Sequence, residues 1–181
     1  NRIIQPDQVE ACTTMRKHVR VLLFALFFSP AISFSAGPKL WQEAEYGMSH
    51  QDVRSVFDVT AGDEGTLKSG ATGDLYIRNY EAGDHPFKVV FFFKNRKLVQ
   101  VTLKSRQDEN PMRYQVQSIK NILTGKYGDP VSYEENSEAF GGYASGTWKQ
   151  GKTNISLTWM KSNGIFNIVY QTRLAEEGAK F

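Results

Sequence analysis

The chain has 181 residues, of which 40% are hydrophobic and 23% charged, and this composition excludes an intrinsically disordered or low-complexity protein. Its length suits one domain, or two small halves that share a core. The formal net charge is only +3, and much of that excess comes from residues 1–35. We therefore expect no nucleic-acid binding through bulk charge.

Residues 15–35 have the layout of a secretory signal. A basic start is followed by an apolar run at residues 21–28, and Pro30 ends that run. The run is shorter than the roughly 20 apolar residues that a membrane span needs. We predict that residues 15–35 are a signal peptide removed on export, and that residues 1–14 are a disordered upstream segment outside the fold.

The only cysteine, Cys12, lies in residues 1–14. The exported part, residues 36–181, would then have no disulfide, no catalytic thiol and no lipid-modified cysteine. A domain that depends on its core alone suits a bacterial periplasm better than an extracellular milieu. We expect one exported domain, periplasmic or secreted, with no transmembrane segment after signal removal.

The first part of that domain contains a short helix and a glycine-rich stretch. Residues 40–46 are ambiguous between a helical turn and an edge strand. Ser49 is a good N-cap and Asp52 completes a capping box, which predicts a helix start. Its buried side is predicted to comprise Val53, Val56 and Phe57. Residues 61–73 carry four glycines and are predicted to form a flexible loop.

A β-hairpin is predicted in residues 87–106, around a tight turn at residues 95–97. Apolar residues alternate along both strands: Phe87, Val89, Phe91 and Phe93 in the first, and Val99, Val101 and Leu103 in the second. A period of two is typical of half-buried antiparallel strands. Residues 74–80 are predicted to form a strand before this hairpin.

A second helix and three more strands are predicted after the hairpin. Pro111 suits the first turn of a helix, and Gly128 and Pro130 suit its end. The apolar residues at helical spacing are Met112, Val116, Ile119 and Leu123. Strands are predicted at residues 140–149, 154–160 and 165–173, with a tight turn at Asn163 and Gly164 between the last two.

This order predicts an α+β fold that consists of a tandem helix–three-strand repeat. The half-repeats would span residues of about 40–108 and 109–174. Each half has too few strands to be stable alone. We therefore expect the six strands to join or stack in antiparallel sheet, with both helices packed on one face.

The segment Tyr46-Gly47-Met48-Ser49, with Asp52 and Val53, resembles the Gly-Met-Ser/Thr…Val motif at the start of small bacterial envelope domains. These are the SmpA/OmlA outer-membrane assembly lipoproteins and the β-lactamase-inhibitor-protein-like domains. Residues 126–130 are similar to the Gly-x-Pro sequence that ends a helix in such domains. The chain departs from them in having no lipobox cysteine and no paired cysteines. The resemblance implies a binding or assembly module, not an enzyme.

We find no catalytic constellation in the sequence. His50 and His85 lie on separate segments with no cysteine nearby, so we expect solvated histidines and no metal site. Ser49, His50 and Asp52 are near-consecutive helical positions that cannot form a catalytic triad. We therefore expect no catalytic residue, no cofactor and no enzyme activity.

The strand faces opposite the apolar ones carry cations and aromatic rings. The predicted partner-binding residues are Tyr76, Arg78, Tyr80, Phe92, Lys104, Arg106, Tyr143 and Lys149. Lys88 and Arg173 belong to the same cationic pattern, and no acidic residue does. The alternative is that the lysines and arginines only prevent edge-to-edge pairing of the sheet.

These observations predict an exported, non-enzymatic binding or assembly module. Its open, basic and aromatic sheet face would meet another protein or an anionic envelope component, such as lipid headgroups. The alternative functions are a small envelope hydrolase, with its site in residues 61–73, and an inhibitor of a secreted enzyme. A deep polar pocket would favour the hydrolase, and a broad shallow face would favour the binding module.

Overall fold

Strands dominate the part of the chain that the structure, a computed structural model, describes: residues 37–105, 111–136 and 141–172. In these ranges 53% of the residues are in strands and 20% in helices. The predicted α+β fold with a tandem helix–three-strand repeat is therefore wrong. The described residues form a mostly β fold built on one large antiparallel sheet.

Ten strands and two α-helices make up the described fold. The strands are β1 (Lys39–Trp41), β2 (Ala44–Glu45), β3 (Thr60–Ala61), β4 (Thr72–Ala82), β5 (His85–Lys94), β6 (Lys97–Ser105), β7 (Ser132–Asn136), β8 (Tyr143–Gln150), β9 (Thr153–Met160) and β10 (Ile165–Thr172). The helices are α1 (His50–Val56) and α2 (Arg113–Tyr127). Strands β1 and β2 form a hairpin, and the other eight form one sheet in the order β3-β4-β5-β6-β10-β9-β8-β7.

The fold prediction failed at the edges and at the centre of this sheet. Strands β3 and β7 are short and largely exposed, so they lack the apolar alternation that marks a half-buried strand. At the centre, β6 pairs with β10, which places Leu103 opposite Ile168. This long-range pairing joins all the long strands into one sheet, and no local sequence pattern specifies it.

The central hairpin β5–β6 confirms the predicted pair of strands. Asn95 and Arg96 form its two-residue turn with φ of 52° and 63°, as the turns that match strand twist require. A register shift beside Phe93 brings Leu98 into the core. Val99 then packs on the opposite face, so its predicted place in the core is wrong.

The start of α1 follows from local side-chain chemistry, whereas α2 begins at Arg113, two residues after the predicted Pro111. The Asp52 amide donates to Ser49 Oγ and the Ser49 amide donates to Asp52 Oδ2, which confirms the capping box of α1. Val53 is fully buried, but Val56 is 44% exposed, contrary to the prediction. In α2 the predicted apolar stripe is confirmed for Val116, Ile119 and Leu123, whereas Met112 precedes the helix and is 59% exposed.

The core lies between one face of the large sheet and the elements packed against it. Both helices and the β1–β2 hairpin contribute to it, through Val53, through the apolar stripe of α2 and through Leu40, Trp41 and Ala44. Its largest buried side chains include Trp148, Trp159, Phe87, Phe91 and Phe166. Neither helix of the described residues is long and apolar enough to cross a membrane. The opposite side of the sheet is called the open face below.

Candidate binding face of the sheet

The open face is built from the side chains that alternate with the core residues of each strand. Strand pairing aligns these side chains in rows that run across the sheet. One row is Lys88, Lys104, Asn167, Thr158 and Ser145; the next is Val90, Thr102, Val169, Ser156 and Thr147; the third is Phe92, Gln100, Gln171, Asn154 and Lys149. The face is therefore cationic towards β4–β6, and it is uncharged and mostly polar across β10, β9 and most of β8.

A cationic corner lies at the β4–β5 end of the open face. The Arg78 guanidinium donates to the Tyr76 hydroxyl at 3.3 Å and lies 5.8 Å from the Tyr76 ring centroid. Lys88 Nζ approaches the same ring at 5.1 Å. Such distances allow cation–π attraction, which orients the two cations around one ring. The corner thus presents two positive groups on an aromatic base.

Residues 62–71, called the cover segment, lie across β4 and β5 on the open face. Backbone hydrogen bonds from the Gly62 amide to the Asp74 carbonyl and from the Glu64 amide to the Gly73 carbonyl attach the segment to β4. Leu67 packs on a small buried cluster that includes Val90 and Phe92. The predicted flexible loop of residues 61–73 is thus a hydrogen-bonded segment that covers this part of the sheet.

Glu64 of the cover segment contacts two lysines that face each other across β5 and β6. Lys88 Nζ donates to both carboxylate oxygens of Glu64, at 3.1 and 3.2 Å. Lys104 Nζ donates to the Glu64 backbone carbonyl at 3.5 Å. Burial lowers the pKa of Lys104, and the nearby Glu64 charge partly offsets this effect. One acidic residue therefore contacts two neighbouring cations, Lys88 through its carboxylate and Lys104 through its backbone carbonyl.

Several of the predicted partner-binding residues come together on the open face. Tyr76, Arg78 and Lys104 lie towards the cover segment. Tyr143 and Lys149 lie on β8, three strands from β6, or about 14 Å across the sheet. Tyr143 donates to Glu134 at 3.1 Å, whereas Lys149 is exposed. The open face therefore brings Tyr76, Arg78 and Lys104 together, whereas Tyr143 and Lys149 lie apart from them and near opposite ends of β8.

Two of the predicted residues, Tyr80 and Phe92, do not contribute accessible side chains to the open face. Tyr80 faces the core side, where its ring packs edge-on against Trp41 at 5.1 Å and its hydroxyl accepts a hydrogen bond from Gln42. Register shifts in β4 between Ile77 and Tyr80 account for this change of face. Phe92 is on the open face but is only 1% exposed. Arg106 lies outside the described residues.

Two features of the open face were missed by sequence reasoning. The sequence places Lys88 among the strand cations but not among the predicted partner-binding residues. Glu64 has no signal in the sequence, because it belongs to a glycine-rich stretch with no recognisable motif. Its approach to the sheet needs the absence of a side chain at Gly73, where a Cβ atom would lie 3.0 Å from the Cβ atom of Glu64. Only the three-dimensional arrangement reveals this contact.

The two histidines of the described residues have structural contacts. His50 is half-buried, and its Nε2 lies 2.8 Å from Asp74 Oδ2. His85 is only 1% exposed, and its Nε2 lies 2.9 Å from Ser105 Oγ. The predicted solvated position is therefore wrong for His85. Within the described ranges, no group of three or more His, Cys, Asp or Glu side chains could hold a metal ion.

A small apolar cavity of about 80 Å³ lies on the helix side of the sheet. Its lining includes Trp41, Tyr80, Ile119 and Tyr170. Burial, followed by the effect of neighbouring Tyr127, raises the pKa of Tyr170 above its ordinary value. The cavity is far below the roughly 300–1,000 Å³ of typical ligand pockets. Nothing in the described residues indicates enzyme activity.

Comparison of the chain with family models, with curated proteins and with solved structures gives no match. The similarity of residues 46–53 to bacterial envelope domains therefore stays a prediction.

Proposed function

We propose that this protein is an exported, non-enzymatic binding module that meets an acidic protein partner through its open face. The observation that carries this proposal is the position of both helices on the other side of the sheet. Across β10, β9 and β8 the open-face side chains remain partly accessible. A large sheet that buries one face and leaves the other accessible offers a rigid surface for a partner.

The chemistry of the open face favours a protein partner. Serine, threonine, asparagine and glutamine side chains supply many hydrogen-bonding groups across β8–β10, which suits the polar parts of protein interfaces. Arg78, Lys88, Lys104 and Lys149 add positive charge around this area. Cations placed in this way speed the encounter with an acidic partner.

An anionic membrane surface is the other partner that the positive charge could attract. Binding to anionic lipid is typical of clusters of about four to eight basic residues beside an apolar anchor. On the open face, Lys88 is already paired with Glu64, and Lys149 lies several strands away from Arg78. The spread of charge therefore favours a protein surface over a lipid surface.

Charge reversal of two exposed residues tests the proposed interface. Arg78→Glu combined with Lys149→Glu alters opposite ends of the open face, and both side chains are exposed. A matched control reverses two exposed cations on the helix side, Arg54 and Lys126, with the same change in net charge. Wild type and both variants would be used as bait in periplasmic extract. Mass spectrometry would identify the proteins that each of them retains.

We expect the open-face variant to lose a partner that both wild type and the helix-side control retain. Both variants should melt within a few degrees of wild type, because exposed charges contribute little to stability. If the open-face variant retains every partner of wild type, the cations only protect the sheet from aggregation. Binding of wild type to vesicles rich in phosphatidylglycerol, with no acidic protein captured, would contradict the choice of a protein partner.

Export is part of the same proposal and is supported by the signal-like pattern of residues 15–35. Removal of this segment would leave a mature chain that begins near Ala36. Intact-mass measurement of protein from the periplasmic fraction gives the cleavage position directly. A mass that includes the apolar run at residues 21–28 would contradict the proposed cleavage.

A further inference from the structure

Lys88 and Lys104 form a like-charged pair on the open face. They are direct cross-strand partners in the β5–β6 register, and both side chains leave the same side of the sheet. Like charges directly opposite each other destabilise an antiparallel pair. The two lysines therefore need a negative group near them.

Each of the two lysine ammonium groups lies close to an aromatic ring of the open face. Lys88 Nζ lies 5.1 Å from the Tyr76 ring centroid and Lys104 Nζ lies 5.2 Å from the Phe92 ring centroid. Lys104 is about half buried, which restricts the directions in which its ammonium group can point. The pair is thus positioned more firmly than freely solvated lysines are, which reduces the entropy that binding must overcome.

Glu64 supplies the negative group in the free protein, but it compensates only part of the charge. Both of its carboxylate oxygens bond Lys88, and its side chain is only 16% exposed. Lys104 Nζ instead donates a long hydrogen bond to the backbone carbonyl of Glu64, at 3.5 Å. A single carboxylate beside two cations leaves one net positive charge at this position.

The segment that carries Glu64 pairs with the start of β4 and then turns back into that strand. Backbone hydrogen bonds connect Gly62, Glu64 and Gly65 to β4. Beyond Gly65, Thr66 pairs with Thr72 and the Leu67 amide donates to the Ala71 carbonyl. The Glu64 backbone is therefore held in place, and the movable part is its side chain. Rotation of that side chain about its χ angles can take the carboxylate away from Lys88 while the backbone and the sheet stay intact.

We propose that Lys88 and Lys104 form a subsite for an acidic side chain of the protein partner, and that Glu64 occupies this subsite in the free protein. This inference rests on the proposed function of the open face and names the ligand group that the face receives. A glutamate or aspartate carboxylate of the partner would bond Lys104 and share or replace the contact of Glu64 with Lys88. Glu64 then lowers the affinity of the subsite for other carboxylates.

The test uses a hexaglutamate peptide as the probe and follows amide and side-chain resonances of the labelled protein by NMR. Glu64→Gln keeps the shape of the side chain but removes its charge. At about 0.1 M salt, where charges are screened within about 10 Å, we expect this variant to bind the peptide about two- to fivefold more tightly than wild type. Lys88→Met and Lys104→Met, which keep the apolar stems, should each weaken binding.

Glu43→Gln is the matched control, because it changes the net charge equally and frees Lys39 on the helix side. It should leave the Kd for the peptide unchanged. An equal gain in both glutamine variants, or no gain in Glu64→Gln, would overturn the subsite. A Glu64→Gln variant that melts earlier and binds no better would show that Glu64 acts only in stability.

The outcomes separate this inference from the proposed function. If the open-face charge reversal abolishes partner capture while Glu64→Gln does not change peptide binding, the interface stands and the subsite is wrong. Tighter peptide binding by Glu64→Gln, with chemical-shift changes centred on β5 and β6, supports the subsite even when partner capture depends on other residues.

Discussion

The imidazole ring of His50 stacks on the phenyl ring of Phe93, with the ring centroids 3.8 Å apart and 15° between the ring planes. The same imidazole bonds Asp74 through Nε2, at 2.8 Å. His50 therefore connects the first turn of α1 to both β4 and β5. This arrangement gives His50 a structural role that its position in a short exposed helix does not suggest.

Replacement of His50 by alanine should destabilise the protein. Loss of the ring stack and of the Asp74 contact is expected to cost about 1–2 kcal/mol. Urea denaturation measures this loss. The control is Gln51→Ala, at the exposed neighbouring position in α1, which should hardly change the free energy of unfolding. His50→Phe keeps a stacking ring and should recover part of the loss. Identical urea midpoints for His50→Ala and Gln51→Ala would contradict this structural role of His50.

The apolar side of the β5–β6 hairpin should dominate stability. Phe91 is fully buried and its ring lies 5.3 Å from the ring of Phe57. Phe91→Ala is expected to cost about 3–5 kcal/mol, because a buried ring is lost and a cavity remains. Lys97→Ala, at the exposed start of β6, should change the free energy of unfolding by less than about 0.5 kcal/mol. Equal urea midpoints for the two variants would show that the faces are assigned wrongly.

Two glycines should respond to alanine in opposite directions. A Cβ atom at Gly146 would lie 2.7 Å from the Trp148 ring, so Gly146→Ala should cost about 1–3 kcal/mol through overpacking. Gly125 lies in α2, and a Cβ atom there would meet no neighbouring segment within 4 Å. Gly125→Ala should therefore stabilise the protein by about 0.5–1 kcal/mol, because alanine favours the helix. Thermal melts of both variants would show the two signs, and a destabilised Gly125→Ala would contradict the open surroundings of that position.

The capping box of α1 should make a small pH-dependent contribution. Hydrogen bonds from Ser49 hold the pKa of Asp52 below its ordinary value of 3.8. A carboxyl group whose pKa is lower in the folded chain stabilises that state above the unfolded value, and this stabilisation is lost as the pH falls through the folded value. The difference in stability between wild type and Asp52→Asn should therefore shrink in acid, below about pH 4. Urea midpoints for both proteins at several pH values measure this, and a constant difference would contradict it.

Local patterns predicted much of the secondary structure. The alternation of Phe87, Val89 and Phe91 indicated a half-buried strand, and Ser49 with Asp52 indicated a helix start. Both patterns depend only on residues close together in the chain, so a single sequence is enough to predict the strand and the helix start. The same patterns predicted which side of β5 faces the core. They also indicated that cations and aromatic rings share the other side.

The candidate site was predictable only in part. Tyr76, Arg78 and Lys104 lie on the open face as the strand alternation suggested. Tyr80 does not, because irregular pairing in β4 changes the side on which it emerges. Alternation counts residues, and a bulge inserts one without a clear signal in the sequence. The contact of Glu64 with Lys88 joins positions 24 residues apart and has no local signature.

The sequence by itself determined the strands with an apolar side and the caps of α1, since these depend on periodicity and on bonds between near neighbours. Tertiary structure decided the single sheet, through the pairing of β6 with β10, and the short exposed strands at its edges. It also decided that residues 62–71 cover Phe92 and bring Glu64 to Lys88. These features depend on contacts between distant segments, where the free energy of packing outweighs local preference.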